Sequence, residues 1–217
     1  MAMVVGLRGS GLNLFCAVGM FFAGMLFSVP PAAADDFDVC SKESGDIAAS
    51  ACSRAITSGR YNGPKLAILN YNRGTVYATK GQYDRAIEDF DQAIRLNPQD
   101  ADVFNNRGIA FKNKGQYDRA IQDYDQAIKL NPDKAGAFNN RGNAYRDEGQ
   151  NDRAIQDYDQ AIRLEPNAIR FNNRGKAYAN KGQYDRAIQD YDQAIRLNPN
   201  LASAIKNRSE AIAKKNN

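Results

Sequence analysis

The strongest constraint on this chain is an internal repeat of 34 residues. The tripeptide Asn-Arg-Gly begins at residues 72, 106, 140 and 173, in steps of 34, 34 and 33 residues. Four prolines keep the same rhythm: Pro98, Pro132, Pro166 and Pro199. Self-similarity at such a period is typical of arrays in which each unit contacts mainly its neighbours. The sequence therefore predicts a stack of similar units instead of one central core.

Each unit is predicted to contain two helices. In residues 101–134 one apolar stripe at helical spacing precedes Gly115, and a second runs from Ala120 to Leu130. Asn131-Pro132 ends the second helix, because proline lacks the backbone N–H and disfavours helix in the residue before it. No segment alternates with a period of two residues, so the fold is predicted to be all-α.

This pattern resembles the tetratricopeptide repeat (TPR), whose 34 residues carry aromatic residues at positions 4, 11 and 24, small residues at 8, 20 and 27, and proline at 32. Residues 101–134 supply all seven: Phe104, Gly108, Phe111, Ala120, Tyr124, Ala127 and Pro132. Residues 135–167 and 168–201 supply all seven equivalents. Residues 67–100 have Asn70 at the first aromatic position, with Tyr71 beside it. All four units carry arginine at position 7, where the family has leucine. The resemblance implies a right-handed superhelical solenoid of antiparallel helix pairs.

Both ends of the array are predicted to be covered. Residues 202–217 form one more amphipathic helix without a partner, which is expected to cap the C-terminal end. Residues 35–66 are interpreted as a degenerate helix pair followed by a loop, because Ala-Cys-Ser-Arg-Ala-Ile at 51–56 matches the Asp-Tyr-Asp-Gln-Ala-Ile of the second helices. Pro64 suits the start of the next helix.

Residues 1–34 differ from the rest of the chain. A single charge at Arg8 precedes an apolar run from Leu12 to Val29, and Ala32-Ala33-Ala34 stands before the first acidic residue. This order predicts a secretory signal peptide cleaved after Ala34, and hence an exported bacterial protein that is periplasmic or secreted. The alternative is an uncleaved membrane anchor, which would be the protein's one contact with a membrane.

Two cysteines remain after such a cleavage, Cys40 and Cys52. An even number in an exported protein predicts a disulfide between them. The alternative is a pair of small buried residues that stay reduced. A bond here would join two short helices in a unit that lacks the large aromatic residues of its neighbours.

Catalytic chemistry is not predicted. The chain has no histidine, and no phosphate-binding loop, dinucleotide fingerprint, zinc-ligand cluster or nucleophile elbow occurs. We therefore expect no cofactor and no metal. The net charge of +4 does not indicate a nucleic-acid partner. The recurring Asp-x-Asp pairs are interpreted as a solvated helix face with ion pairs four residues apart: Asp91–Arg95, Asp125–Lys129, Asp159–Arg163 and Asp192–Arg196.

The predicted function is binding of a protein or peptide segment in the groove that the first helices line in TPR proteins. The second helices are nearly copies of one another, whereas the first helices differ mainly at positions 9, 12 and 13. A row of amides at positions 5 and 6 is expected to hold the backbone of an extended peptide: Asn72, Asn105, Asn106, Asn139, Asn140, Asn172 and Asn173. Three cations would add a preference for acidic ligands: Lys112, Arg146 and Lys176.

Other interpretations of these residues remain open. The asparagines could serve only to tie neighbouring helices together. The family's carboxylate clamp is not reproduced, because position 5 holds Tyr71 or asparagine and never lysine, so an extended segment is expected instead of a C-terminus. Self-association as an envelope protein is the alternative function, and a subunit accessory to an enzyme is a further one.

Overall fold

The computed structural model describes residues 35–216, and the predictions that concern residues 1–34 lie outside them. This part of the chain contains eleven helices and no strand: α1 Asp36–Lys42, α2 Gly45–Thr57, α3 Gly63–Thr79, α4 Tyr83–Leu96, α5 Ala101–Asn113, α6 Tyr117–Leu130, α7 Ala135–Asp147, α8 Asn151–Leu164, α9 Ala168–Asn180, α10 Tyr184–Leu197 and α11 Ala202–Lys215. Consecutive helices pack against each other along the chain. The predicted all-α solenoid of helix pairs is confirmed. No helix between residues 35 and 216 has both the length and the apolar character needed to cross a bilayer.

The turn inside each repeat has the same geometry. A glycine in the left-handed region follows every first helix, as at Gly115 with φ 72°. The next residue closes the helix end, because the Gln116 N–H donates to the Phe111 carbonyl over 2.9 Å. The equivalent glycines are Gly81, Gly149 and Gly182. Identical turns give the four helix pairs the same relative orientation.

The two helices of a repeat approach each other closely at position 8. A Cβ atom on Gly108 would lie 2.7 Å from Cε1 of Tyr124, and one on Gly175 would lie 2.7 Å from Cε1 of Tyr191. The alanines at positions 20 and 27 are fully buried: Ala120 packs in the cluster that contains Tyr124, and Ala127 packs in the cluster that contains Phe104. Small residues at these positions therefore allow the close helix pairing that the sequence predicted.

The N-terminal end is closed by α1 and α2. Cys40 and Cys52 form the predicted disulfide, with 4.8 Å between their Cα atoms. Both cysteines are buried in a cluster that includes Leu69 of α3. The Tyr61 hydroxyl also donates to the Asp35 carboxylate over 2.6 Å. The contact with Leu69 attaches the degenerate pair to the first full repeat, and the Tyr61–Asp35 bond holds the start of α1 against the loop before α3.

The first repeat has asparagine at the first aromatic position, and contacts near that residue accommodate it. Asn70 is buried and donates its amide to the Leu66 carbonyl over 2.7 Å. The neighbouring Tyr71 ring lies 6.1 Å from the Phe90 ring and supplies the aromatic contact. At the other end, α11 packs on α10 through the buried Ala204 and Ala211.

Candidate binding groove

The arginine at position 7 explains how neighbouring repeats are joined. Arg107 donates Nε and Nη2 to the two carboxylate oxygens of Asp123 in its own repeat, over 2.8 and 2.7 Å. Its Nη1 donates over 2.5 Å to Asp91 of the preceding repeat. Arg141 and Arg174 make the same three contacts. We call this repeated arrangement the arginine ladder.

The arginine ladder corrects the sequence-based interpretation of the aspartates. The predicted pairs four residues apart, Asp91–Arg95, Asp125–Lys129, Asp159–Arg163 and Asp192–Arg196, are wrong. These aspartates bind position-7 arginines of the following unit instead. The other member of each Asp-x-Asp pair is buried and not on a solvated face: Asp89, Asp123, Asp157 and Asp190. The error arose because a long arginine side chain can reach two acids that share no helix with it.

In the arginine ladder, burial and ion pairing shift the pKa of a side chain in opposite directions. Burial raises the pKa of the Asp123 carboxyl, although the hydrogen bonds from Arg107 act in the opposite direction. The hydrogen bonds to Asp190 raise the pKa of the Arg174 guanidinium. The bidentate hydrogen bonds favour the ionised form of both groups. Removing one partner of a buried pair leaves an uncompensated charge, which costs about 3–5 kcal/mol.

The predicted asparagines form a second ladder along the first helices. Each position-6 amide donates to the preceding repeat: Asn106 to the Tyr71 hydroxyl over 3.0 Å, Asn140 to Asn105 over 3.0 Å, and Asn173 to Asn139 over 3.0 Å. At the N-terminal end Asn72 donates to the Cys40 carbonyl over 3.4 Å. At the C-terminal end Asn207, which the sequence-based prediction did not include, donates to Asn172 over 2.9 Å.

These contacts show that the amides tie neighbouring helices together. Asn105, Asn172 and Asn173 are buried, whereas the other members are half-buried: Asn72, Asn106, Asn139 and Asn140. Asn106 and Asn140 each donate one of two amide protons within the described part of the chain, so each keeps a second proton for another acceptor.

The groove face is the surface formed by positions 9, 12 and 13 of α3, α5, α7 and α9, and it contributes to three cavities. One of them, of about 240 Å³, includes Thr75 and Thr79 but is lined mainly by residues outside the groove face, between α3 and the N-terminal helix pair. The other two are named by their place along the array. The N-terminal cavity, of about 290 Å³, is lined by Thr75, Ala78, Thr79, Phe90, Asn106, Ile109 and Asn113. The C-terminal cavity, of about 580 Å³, is lined by Arg146, Lys176, Ala179, Asn180, Tyr184, Tyr191, Asn207, Glu210, Ala211 and Lys214. The positions that vary among the repeats therefore line most of the N-terminal cavity and one side of the C-terminal cavity, which is completed by residues of α10 and α11.

The three predicted cations differ in their partners. Arg146 donates to the Asp147 carboxylate over 2.8 Å, and Lys112 lies 3.8 Å from the same carboxylate. Arg146 and Lys176 line the C-terminal cavity, whereas Lys112 lines neither cavity. Burial lowers the pKa of Lys176, and the positive charge of Arg146 lowers it further. Asp147 thus neutralises part of a cluster that sequence reasoning treated as cations alone.

A row of aromatic residues at position 24 lies beneath the groove face. The tyrosines in this row differ in the hydrogen bonds of their hydroxyl groups. Tyr158 donates to the side-chain oxygen of Asn143, at position 9 of the same repeat, over 2.8 Å. The Tyr124 hydroxyl is buried without a hydrogen-bond partner in the described structure, and Ile109 stands at the corresponding position 9. Sequence reasoning missed this difference, although comparing positions 9 and 24 between repeats would have exposed it.

Family models match most of the array. A model described as the tetratricopeptide repeat matches residues 101–134, 135–168 and 168–201, and one described as a TPR repeat matches residues 74–115. The chain belongs to the tetratricopeptide-repeat family. TPR proteins are in general interaction scaffolds that bind protein or peptide partners and have no catalytic role of their own. No protein with a curated description matches the chain.

Solved structures of TPR proteins share the fold. TTC0263, a thermophilic TPR protein of Thermus thermophilus, is 20% identical over 77% of this chain and 90% of that one, with a TM-score of 0.64. MamA is 23% identical over 76% and 91%, with a TM-score of 0.63. YrrB, described as a TPR protein with an unusual peptide-binding site, is 25% identical over 75% and 82%, with a TM-score of 0.62.

Proposed function

We propose that this TPR protein is a non-enzymatic scaffold that binds an extended segment of a partner along its groove face. The observation that carries the proposal is that different positions of the repeat join the repeats and line the groove. The residues that join the repeats are nearly constant, whereas the residues at positions 9, 12 and 13 vary; they line most of the N-terminal cavity and part of the C-terminal cavity. The unusual peptide-binding site of YrrB is consistent with this use of the fold.

The asparagine ladder contributes to the proposal through its half-buried members. Asn106 and Asn140 each retain one amide proton, which can donate to a backbone carbonyl of the ligand. Asn105, Asn172 and Asn173 are buried, so they act by holding the amides beside them. Backbone contacts of this kind bind an extended segment whatever its side chains are, and the cavities then supply selectivity.

Site-specific photo-crosslinking tests the binding surface before the partner is known. A photo-reactive amino acid replaces the exposed Asn113, which lines the N-terminal cavity, and in a matched variant it replaces the exposed Lys129 on α6. Irradiation of cells should give an adduct at Asn113, with one defined segment of a partner identified by mass spectrometry, and none at Lys129. Adducts at Lys129 alone would contradict a groove-binding function.

The identified segment then tests the amides directly. As a synthetic peptide it should bind the Asn106→Ala, Asn140→Ala double variant at least tenfold more weakly, about 1.4 kcal/mol. Circular dichroism and a urea melt show whether the variant is folded, since both substitutions also remove a bond between repeats. Unchanged affinity in a folded variant would leave the amides with a purely structural role.

We infer that the protein works outside the cytoplasm. The Cys40–Cys52 disulfide supports this location, because such bonds persist in oxidising compartments. The apolar sequence that ends at Ala32-Ala33-Ala34 supports it independently. N-terminal sequencing of the protein from the extracytoplasmic fraction should give Asp35 as the first residue. Met1 on a membrane-bound product would favour the anchor instead.

A further inference from the structure

The two cavities of the groove face differ in charge. No ionisable side chain lines the N-terminal cavity, whose walls include Thr75, Ala78 and Ile109 above the ring of Phe90. The C-terminal cavity is lined by three basic residues and one acidic residue: Arg146, Lys176, Lys214 and Glu210. The groove is therefore neutral and largely apolar at one end and cationic at the other.

The cationic character is not cancelled by contacts within the chain. Asp147 pairs with Arg146, and Glu210 lies 3.8 Å from Lys206. Lys176 and Lys214 form no ion pair in the described part of the chain. Two positive charges at the C-terminal cavity therefore remain without an acidic partner.

The wall of the C-terminal cavity adds a hydrogen-bonding group. Tyr191 is only 2% exposed and lines this cavity, and its hydroxyl makes no hydrogen bond within residues 35–216. Unlike the buried hydroxyl of Tyr124, the Tyr191 hydroxyl stays accessible from the cavity, so it can donate a hydrogen bond to a ligand acceptor. Two free ammonium groups and one free hydroxyl complement a carboxylate, which accepts up to about four hydrogen bonds.

We propose, building on groove binding as the function, that the ligand is an extended protein segment with an apolar side chain in the N-terminal cavity and an internal Asp or Glu in the C-terminal cavity. The C-terminal cavity of about 580 Å³ exceeds a single carboxylate several-fold, so it admits a whole acidic side chain with its flanking backbone.

The repeat geometry sets the distance between the two ligand residues. The N-terminal cavity lies between α3 and α5, and the C-terminal cavity reaches from α7 to α11. Its two unpaired lysines, Lys176 on α9 and Lys214 on α11, lie three first-helix steps further along the array than the pair α3 and α5. Packed helices lie up to about 10 Å apart, so the separation is about 30 Å. An extended chain advances about 3.3–3.6 Å per residue, which places the apolar and acidic residues about nine positions apart.

Selection from a library of random linear peptides tests the inference. Peptides of about fifteen residues are displayed on phage with their C-termini fused to the coat protein, so that no free terminal carboxylate is present. The purified protein should enrich sequences with an apolar residue and an Asp or Glu about nine positions apart. Enrichment without an acidic position would overturn the bipartite ligand while groove binding stands, and failure to enrich any peptide would contradict both.

A charge exchange then identifies the cavity. Replacing the acidic residue of a selected peptide with Gln or Asn should weaken binding about tenfold to the natural protein, but less than twofold to a Lys176→Gln, Lys214→Gln variant. Lys129→Gln removes one positive charge on α6, outside both cavities, and should behave as the natural protein does. If the double variant does not fold, Lys214→Glu alone should reduce affinity for the acidic peptide and spare the neutral one. Equal losses in all proteins would overturn the assignment.

Discussion

Removing one hydroxyl from two equivalent tyrosines should change stability in opposite directions. Tyr124→Phe deletes a buried hydroxyl that has no hydrogen-bond partner in the described structure, whereas Tyr158→Phe deletes one that donates to Asn143 over 2.8 Å. The phenylalanine ring fits this place, because the first repeat carries Phe90 there, fully buried. The comparison therefore isolates the hydrogen bond from the packing of the ring.

The magnitudes follow from the hydrogen-bond balance. An unsatisfied buried polar group costs about 1–3 kcal/mol, so Tyr124→Phe should raise the free energy of unfolding by about 1 kcal/mol once the lost contacts of the oxygen are subtracted. A satisfied hydrogen bond contributes about 0.5–1.5 kcal/mol, so Tyr158→Phe should lower it by about 1 kcal/mol. Asn143 retains a contact of 3.2 Å with Arg146, which keeps this loss from being larger.

Urea unfolding followed by circular dichroism measures the difference. With m near 2 kcal/mol/M, the two midpoints should separate by about 1 M at unchanged m. Ile109→Asn supplies a rescue test, because it places an amide beside Tyr124 as Asn143 stands beside Tyr158. In that background Tyr124→Phe should become destabilising. Equal losses for both tyrosines in the natural protein would refute the reasoning and imply that the Tyr124 hydroxyl has a partner, such as ordered water.

Three further predictions concern the structural framework. Asp123→Ala should lower the free energy of unfolding by about 3–5 kcal/mol, because it leaves Arg107 without its bidentate partner. Asp125→Ala should lower it by under about 1 kcal/mol, because that side chain is 53% exposed. Comparable urea midpoints for the two variants would contradict the arginine ladder. Gly108→Ala should destabilise by about 1–3 kcal/mol through overlap with the tyrosine ring, whereas Gly136→Ala, which meets no atom within 4 Å, should be neutral or stabilising. Reducing the Cys40–Cys52 disulfide should lower stability by about 3 kcal/mol, and titration of the denatured, unreduced protein should find no free thiol from this pair.

The helices and their pairing were predictable because the same pattern of small and aromatic residues recurs in each repeat. A single unit with Gly108, Ala120 and Tyr124 at helical spacing would be weak support for a fold, but near-copies of it make the period unmistakable. The small residues at positions 8, 20 and 27 indicated close helix contact, and the structure confirms it. The disulfide was predicted from the compartment and the cysteine count, without any geometric argument.

Contacts between repeats were not predictable in the same way. A helix-surface rule assigns Asp125 to Lys129, four residues away, because it considers one helix at a time. In the structure Asp125 binds Arg141, sixteen residues later, on the first helix of the next unit. The clue was present as arginine at position 7, a departure from the family that required an explanation. A charged residue at a normally apolar position needs a partner, and here a buried acid of the same repeat and a more exposed acid of the preceding repeat supply it.

Position 9 links the stability of the array to the chemistry of its groove. Its side chain faces the groove above and the aromatic residue at position 24 below. Asn143 satisfies Tyr158 and makes its stretch of groove polar. Ile109 makes the N-terminal cavity apolar and leaves Tyr124 without a partner. The first repeat avoids the conflict because Thr75 is combined with Phe90, which has no hydroxyl. The unsatisfied hydroxyl of Tyr124 lowers stability, and it accompanies an apolar groove surface. Ile109→Asn should relieve this loss of stability by placing an amide beside the hydroxyl. The same substitution should also weaken the binding of any ligand that places an apolar side chain in the N-terminal cavity.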